Sequence, residues 1–375
     1  MKKNIDKKKR ILILMSKTGN GHLSVAETLK EYFEYVDPEK YEVKIVDALQ
    51  DHSKRIVKNI SKSYVPVVKY LPTLYTSGFY FTDNEIRLSL LLSLIRLQSR
   101  KKVTTLIDTF QPNLIISVHP LVNKIAGEIS KKKNIPFGVL ITDMYNVHES
   151  WFNRDADLYI APNTYVAKQC KKHGIQNVKA FSIPVKLKFS KPLDLDKIRK
   201  KYKLDKDKHT ILFTFGGGGT VNPAKILKEL IKKDPNKYQI IVNNGKNIKT
   251  YREIEKIKIK SKMKIVNLGF INNMEEIMNI SDIAVCKAGA TTVQELFSTT
   301  VVPIIINYVR GQEKDCADFV KLKRAGIVSK RKVVEIIENI TKNPKRLERY
   351  KRNEEKLSDK ESGLKSIKEF IKLIK

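Results

Sequence analysis

Apolar positions along this 375-residue chain fall into short runs separated by longer amphipathic stretches. Arg10 to Met15, Tyr41 to Val46, Leu114 to Val118, Phe137 to Thr142, Leu158 to Ala161 and Lys179 to Ile183 read as strands buried on both faces. Between them Leu23 to Tyr35, Val122 to Lys133 and Thr164 to Lys172 carry apolar residues at helical spacing. The rhythm restarts at Thr210 to Phe215 and continues through Tyr238 to Asn243, Lys264 to Leu268, Ser281 to Cys286 and Val301 to Ile306, with helices over Ile248 to Ile259, Met274 to Asn279 and Thr291 to Ser298. Strand–helix alternation of this kind predicts an α/β fold of two Rossmann-like, doubly wound domains facing across a cleft. The expected divisions are residues 1–185, a charged and turn-rich linker at 186–209, a second domain at 210–330, and helices at 331–375. In that tail Leu364, Ile367, Phe370, Ile371 and Ile374 form one apolar stripe.

Glycine follows several of the strands. Gly19-Asn20-Gly21-His22 leads from the first strand into the first helix, and Gly216 to Gly219 follow the strand that opens the second half. Four glycines in a row let a ligand approach the backbone closely. The turn Lys287-Ala288-Gly289-Ala290 has the same small-residue character, and Thr291 or Thr292 can cap the helix behind it. Such a helix start favours an anion, most often a phosphate. Glu295 lies about one turn deeper, where a carboxylate can accept from ribose hydroxyls. Arg310-Gly311-Gln312-Glu313 past the next strand suits sugar hydroxyls. A plain βαβ unit with a capped helix explains the same residues without a ligand. A nicotinamide-binding start fits less well, because Ser24 stands where the third glycine of that fingerprint belongs.

His22, His119, Asp143 and His148 all fall at or just past strand ends, which in a parallel sheet is one edge of the ligand crevice. A histidine at the mouth of a glycine loop can act as a general base near neutral pH. Each one taken singly is equally a local hydrogen-bonding residue.

Composition adds a charge of +33, from 73 Lys and Arg against 40 Asp and Glu. That excess points to anionic partners, although lysine-rich usage from an AT-rich genome gives it too. Residues 51–105 interrupt the strand–helix rhythm with ten basic against three acidic residues, and interleave Lys54, Arg55, Lys58 and Lys62 with Tyr64, Tyr70, Tyr75, Phe79, Tyr80 and Phe81. Cations beside amphipathic rings suit an anionic lipid surface; a buried helical insertion and a single-stranded nucleic-acid platform are the alternatives. Pro66, Pro72 and Gly78 break any long helix there until Ile86 to Leu97. Cys170, Cys286 and Cys316 have no metal or disulfide spacing, the expectation for a reducing cytoplasm. The apolar run behind the basic start is five residues, and no stretch reaches the ~18 apolar residues of a spanning helix.

Together, Gly19-Asn20-Gly21-His22, Gly216 to Gly219, Gly269-Phe270-Ile271-x-x-Met274, Lys287 to Glu295 and Gly311-Gln312-Glu313 resemble the family-28 glycosyltransferases of GT-B fold. Thr142-Asp143, His148-x-x-Trp151-Phe152 and Ile183-Pro184-Val185 resemble most closely the monogalactosyldiacylglycerol synthase and processive diacylglycerol glucosyltransferase branch. The resemblance implies an inverting enzyme, peripheral on the cytoplasmic face of the membrane. Such an enzyme moves glucose or galactose from a UDP-sugar, a co-substrate, to diacylglycerol, with no cofactor and no active-site metal. It implies His22 as base, with Asp143 the second candidate, and Gly19, Gly21, His148 and Trp151 on the acceptor and membrane side. It assigns Gly217, Gly218, Gly219, Lys287, Gly289, Ala290, Thr291 and Thr292 to the diphosphate, Phe270 and Ile271 to uracil, Glu295 to ribose, and Gln312 and Glu313 to the donor sugar. The family pattern continues Gly-Gln-Glu-x-x-Asn, and here Cys316 stands in the Asn place. The alternatives are N-acetylglucosamine transfer to a polyprenyl-linked acceptor and, in another class, nucleic-acid binding driven by charge.

Overall fold

A strand with neighbours on both edges and helices on both faces has no wet side, so it must be apolar throughout. Leu114-Ile115-Ile116-Ser117 and Leu158-Tyr159-Ile160-Ala161 satisfy that condition, and every residue in them is buried. In the computed structural model, which describes residues 8–17, 20–216 and 221–374, such strands assemble into two separate six-stranded parallel sheets. The chain divides accordingly. One unit comprises Met1–Leu187 with Val309–Asp315 and Lys360–Lys375, and the other Lys188–Tyr308 with Cys316–Asp359.

The first unit runs β1 (Lys9–Met15), α1 (Gly21–Val36), β2 (Tyr41–Asp47), α2 (Arg55–Tyr70), α3 (Pro72–Thr82), α4 (Glu85–Phe110), β3 (Leu114–Ser117), α5 (Pro120–Lys133), β4 (Phe137–Leu140), β5 (Leu158–Ala161), α6 (Thr164–Lys172) and β6 (Val178–Ala180). Its sheet order is β2-β1-β3-β4-β5-β6. Chain progression reverses between β1 and β3, so the loops leaving those two strands diverge and open a crevice there.

The second unit contains α7 (Leu195–Tyr202), β7 (His209–Thr214), α8 (Ala224–Leu230), β8 (Tyr238–Asn243), α9 (Ile248–Ile259), β9 (Ile265–Leu268), α10 (Met274–Asn279), β10 (Ile283–Lys287), α11 (Ala290–Ser298), β11 (Val302–Asn307), α12 (Gln312–Leu322), β12 (Ile327–Val328), α13 (Val333–Thr341) and α14 (Pro344–Glu355). The start of α12 lies in Val309–Asp315 and groups with the first unit. Its sheet order, β12-β11-β10-β7-β8-β9, is the Rossmann order, with the reversal between β7 and β10.

Four expectations change. The linker is partly helical. Asp194 caps α7 by accepting from Lys197 N at 3.0 Å, Ile198 is buried, and Lys201 pairs with Glu276 of α10 at 2.6 Å. The leucine helix is longer than Ile86 to Leu97 and runs to Phe110, because Ser99, Val103, Leu106, Ile107 and Phe110 keep a buried stripe going. Pro66 lies within α2, while Pro72 opens α3, where its missing N–H costs no helical bond.

The carboxyl-terminal helices do not stay together: α13 and α14 belong to the second unit, and α15 (Ser362–Ile371) to the first. The contacts explain it. A Cβ added to Gly138 of β4 would lie 2.4 Å from the Phe370 ring, and a Cβ on Gly363 would come within 2.1 Å of Tyr32 in α1. Absent side chains at both positions let the helix seat directly on the sheet and on α1.

Residues 51–105 are not a buried insertion throughout. The second half of α4 enters the core, but α3 has no buried residue. Nine of the sixteen exposed large hydrophobic residues among those described fall between Ile56 and Leu97. Arg100, Lys101 and Lys132 line an open groove of about 710 Å³ between α4 and α5. Arg96 and Lys133 in the same groove are paired with Glu128 and Asp108. No helix among the described residues is long and apolar enough to cross a membrane.

Candidate active site

In the second unit the loops after β7 and β10 leave adjacent strands at the reversal point. The chain turns out of β7 at Gly216, whose φ of +75° is left-handed and favours glycine. It leaves β10 through an irregularity between Cys286 and Lys287, and the Lys287 stem lies beside both Gly216 and Gly289. Next to these turns is a cavity of about 140 Å³ lined by Thr214, Gly216, Asn243, Gly245, Phe270, Ile271, Met274, Met278, Thr292 and Glu295. Phe270, Ile271, Thr292 and Glu295 were expected from the sequence, and the fold brings them together.

Asn243 and Gly245 were not expected. Their signal was the Asn-Asn-Gly turn ending β8, where Gly245 adopts φ +55° and donates its N–H to Asn243 Oδ1 at 3.1 Å. The Phe270 ring is 57% exposed and has the Lys246 ammonium 5.3 Å from its centroid. Gly217, Gly218 and Gly219 lie outside the described residues. The capping expectation is corrected: α11 starts at Ala290, and its cap is Gly289, which offers no side-chain oxygen. Ala290, Thr291 and Thr292 form the first turn, so this helix end has no side-chain cap and keeps its positive pole toward the loop.

The first unit gathers a second set of polar groups after β1, β3 and β4. Gly21 opens α1 and His22 follows it, nearly buried; Gly19 lies outside the described residues. His22 Nδ1 is 2.7 Å from the Val118 carbonyl and 3.3 Å from Thr142 Oγ1. A carbonyl only accepts, so Nδ1 carries the hydrogen and Nε2 keeps its lone pair. That tautomer is the one a general base needs. The His119 ring is centred 4.5 Å away and the Trp151 ring 6.3 Å away. Burial pulls the His22 pKa below that of an ordinary histidine, opposed by the Asp143 charge and the Val118 bond. Burial, then the neighbouring His22, push His119 well down as well. Both imidazoles are therefore neutral at pH 7.

Asp143 is buried, and both its oxygens are engaged. Oδ2 accepts from Trp151 Nε1 at 2.7 Å, and Oδ1 accepts from Gln312 Nε2 at 2.9 Å. A carboxylate held from both sides is poorly placed to take a substrate proton, whereas the His22 Nε2 lone pair is able to accept one. Trp151 is corrected from an acceptor-side contact to a core residue: it is wholly buried, and only its N–H emerges, toward Asp143. His148 has a different task too. Its Nδ1 accepts from Ser150 N at 3.1 Å, so Nε2 carries the proton toward Phe79 O at 3.2 Å and Thr82 Oγ1 at 3.3 Å, pinning the end of α3. Glu313 accepts from Val309 N at 2.9 Å and folds back on its own loop. Cys316 is buried one turn into α12.

Two family models match the chain: Monogalactosyldiacylglycerol (MGDG) synthase over residues 22–185, and the Glycosyltransferase family 28 C-terminal domain over residues 210–373. The chain is 31% identical over 340 residues to monogalactosyldiacylglycerol synthase 2, chloroplastic, of Arabidopsis thaliana, spanning 87% of this chain and 72% of that protein. The chain belongs to the family-28 glycosyltransferases. Within that family the glycosyltransferase is also 29% identical over 352 residues to the processive diacylglycerol beta-glucosyltransferase of Bacillus licheniformis, covering 92% of this chain and 90% of that one. Acinetobacter baumannii MurG superposes with a TM-score of 0.64 at 12% identity, over 97% of this chain and 99% of that chain. The fold is GT-B. Membership displaces the nicotinamide and nucleic-acid readings of the sequence.

Proposed function

We propose that this glycosyltransferase moves glucose or galactose from a UDP-sugar to the hydroxyl of diacylglycerol, and to the glycolipid so formed, at the cytoplasmic face of a membrane. The observation that carries the reading is likeness along both units to two enzymes, one named for making a galactosyldiacylglycerol and the other for glucosyl transfer to diacylglycerol. The donor's nucleotide belongs with the cavity of the second unit, where Phe270 and Ile271 meet uracil and Glu295 the ribose. The diphosphate belongs with the turns at Gly216 and Gly289 and the start of α11.

The chemistry is a single displacement. His22 Nε2 takes the proton of the acceptor hydroxyl, its oxygen bonds to the anomeric carbon, and the bond from that carbon to the UDP oxygen breaks. Val118 holds His22 in the required tautomer, and Asp143 stabilises the imidazolium that forms. Negative charge developing on UDP falls to the positive end of α11 and to the Lys287 ammonium, so the reaction proceeds without an active-site metal.

The acceptor never leaves lipid, so the enzyme must sit on a surface. Exposed Leu71, Leu74, Tyr80 and Phe81 supply apolar contact along α2 and α3, and Lys54, Arg55, Arg100, Lys101 and Lys132 meet anionic headgroups. Incubating the protein with diacylglycerol in anionic vesicles and labelled UDP-glucose or UDP-galactose tests the proposal. A labelled glycosyl-diacylglycerol is expected from one of them. Label appearing only on a polyprenyl phosphate acceptor, from UDP-N-acetylglucosamine, would overturn it.

A further inference from the structure

Gln312 and Asp143 lie 169 positions apart in the chain, yet the amide nitrogen of one donates to the carboxylate of the other at 2.9 Å. A carboxylate only accepts, and Trp151 Nε1, a group that only donates, already occupies its other oxygen at 2.7 Å. The Gln312 amide therefore has one permitted orientation: nitrogen toward Asp143, carbonyl oxygen away from it. We propose that Asp143 is a positioning and specificity residue, which fixes the polarity of the Gln312 amide so that Gln312 presents its Oε1 to a hydroxyl of the donor sugar. The inference rests on the reading of Gln312 as a donor-sugar contact, and adds what sets its direction.

Replacing the carboxylate with an amide reverses the arrangement. In Asp143→Asn the new side chain has one accepting oxygen, which Trp151 claims, so its NH2 faces Gln312. Gln312 must then rotate and turn its own NH2 toward the sugar, where a hydroxyl hydrogen was to be received. Adding Gln312→Glu restores an acceptor on both sides, since one carboxylate oxygen takes an N–H of the introduced amide and the other faces the sugar. A residue that merely braced the fold would not be rescued by this second change.

Calorimetry with UDP-sugar and with UDP, on the wild type and both variants, decides the matter without requiring turnover. The wild type should bind both UDP and the sugar nucleotide it uses. Asp143→Asn should weaken UDP-sugar binding about tenfold, one hydrogen bond with its polarity reversed, and leave UDP within about twofold. The double variant should regain most of that loss in UDP-sugar affinity. An unchanged UDP-sugar affinity in Asp143→Asn, or a double variant no better than the single one, overturns the proposal. Failure of the functional reading looks different: the wild type itself would bind neither UDP nor any UDP-sugar.

Discussion

Burial favours the neutral form of His22, and its Nε2 keeps a lone pair because the Val118 carbonyl takes the ring's only hydrogen. Activity that needs the neutral ring is lost as pH falls through the lowered pKa, so the acid limb of kcat/KM is expected below the 6.5 of an ordinary histidine. Removing the Asp143 charge removes a contribution that raises this pKa, so Asp143→Asn should move the limb further down; a limb that rises would contradict the assignment. His22→Ala should lower transfer by about 10²–10⁴-fold while UDP binding persists. Glu354 is another buried residue with a consequence. It is fully buried on α14, neither carboxyl oxygen has a hydrogen-bond partner among the described residues, and burial raises its pKa well above 4.5. Below the unfolded pKa both states hold the proton; above it only the unfolded chain releases it, so folding stability falls as pH rises. Glu354→Gln should therefore raise stability by about 1–3 kcal/mol near neutral pH, with the gain vanishing near about pH 4, as followed by thermal unfolding. His22 was legible in the sequence because a glycine loop pointed at it. The engagement of Asp143 was not, since nothing local announces a bond to a residue 169 positions away.

At the scale of elements, two contacts of glycine with a ring carry most of the unforeseen structure. The apolar stripe of the last helix was visible in the sequence, but its docking site was not, because nothing local ties Gly138 to Phe370 or Gly363 to Tyr32. The two glycines are recesses for Phe370 and Tyr32. Gly363→Ala should destabilise the first unit by about 1–3 kcal/mol, measured by denaturant unfolding, since no space remains for a methyl group. Helix α3 is held in a comparable way. Its Phe79 ring packs on Gly311, where a Cβ would lie 2.9 Å away, and lies 4.7 Å from the His148 ring. The opposite side of α3 presents Leu74, Tyr80 and Phe81 to solvent. Changing Leu74 and Phe81 together to Asp should abolish vesicle sedimentation and leave UDP affinity unchanged. Retained sedimentation would move the membrane contact elsewhere.

Over the whole molecule, strand–helix alternation made both sheets legible, since a strand buried on two faces has to be apolar along its length. Unit boundaries were less so. The chain returns to the first unit twice, at Val309–Asp315 and Lys360–Lys375, and such returns depend on packing between distant segments that no local period encodes. A charge of +33 adds a long-range attraction to anionic bilayers that should weaken as salt rises, whereas the affinity for UDP in its cavity should change less. The central claim is a single displacement on a sugar nucleotide by a neutral His22, and the configuration of the product tests it most directly. Proton NMR of the glycolipid formed from an α-linked UDP-hexose and diacylglycerol should show only the β-anomer. An α-linked product, or none from either UDP-glucose or UDP-galactose, would contradict the account.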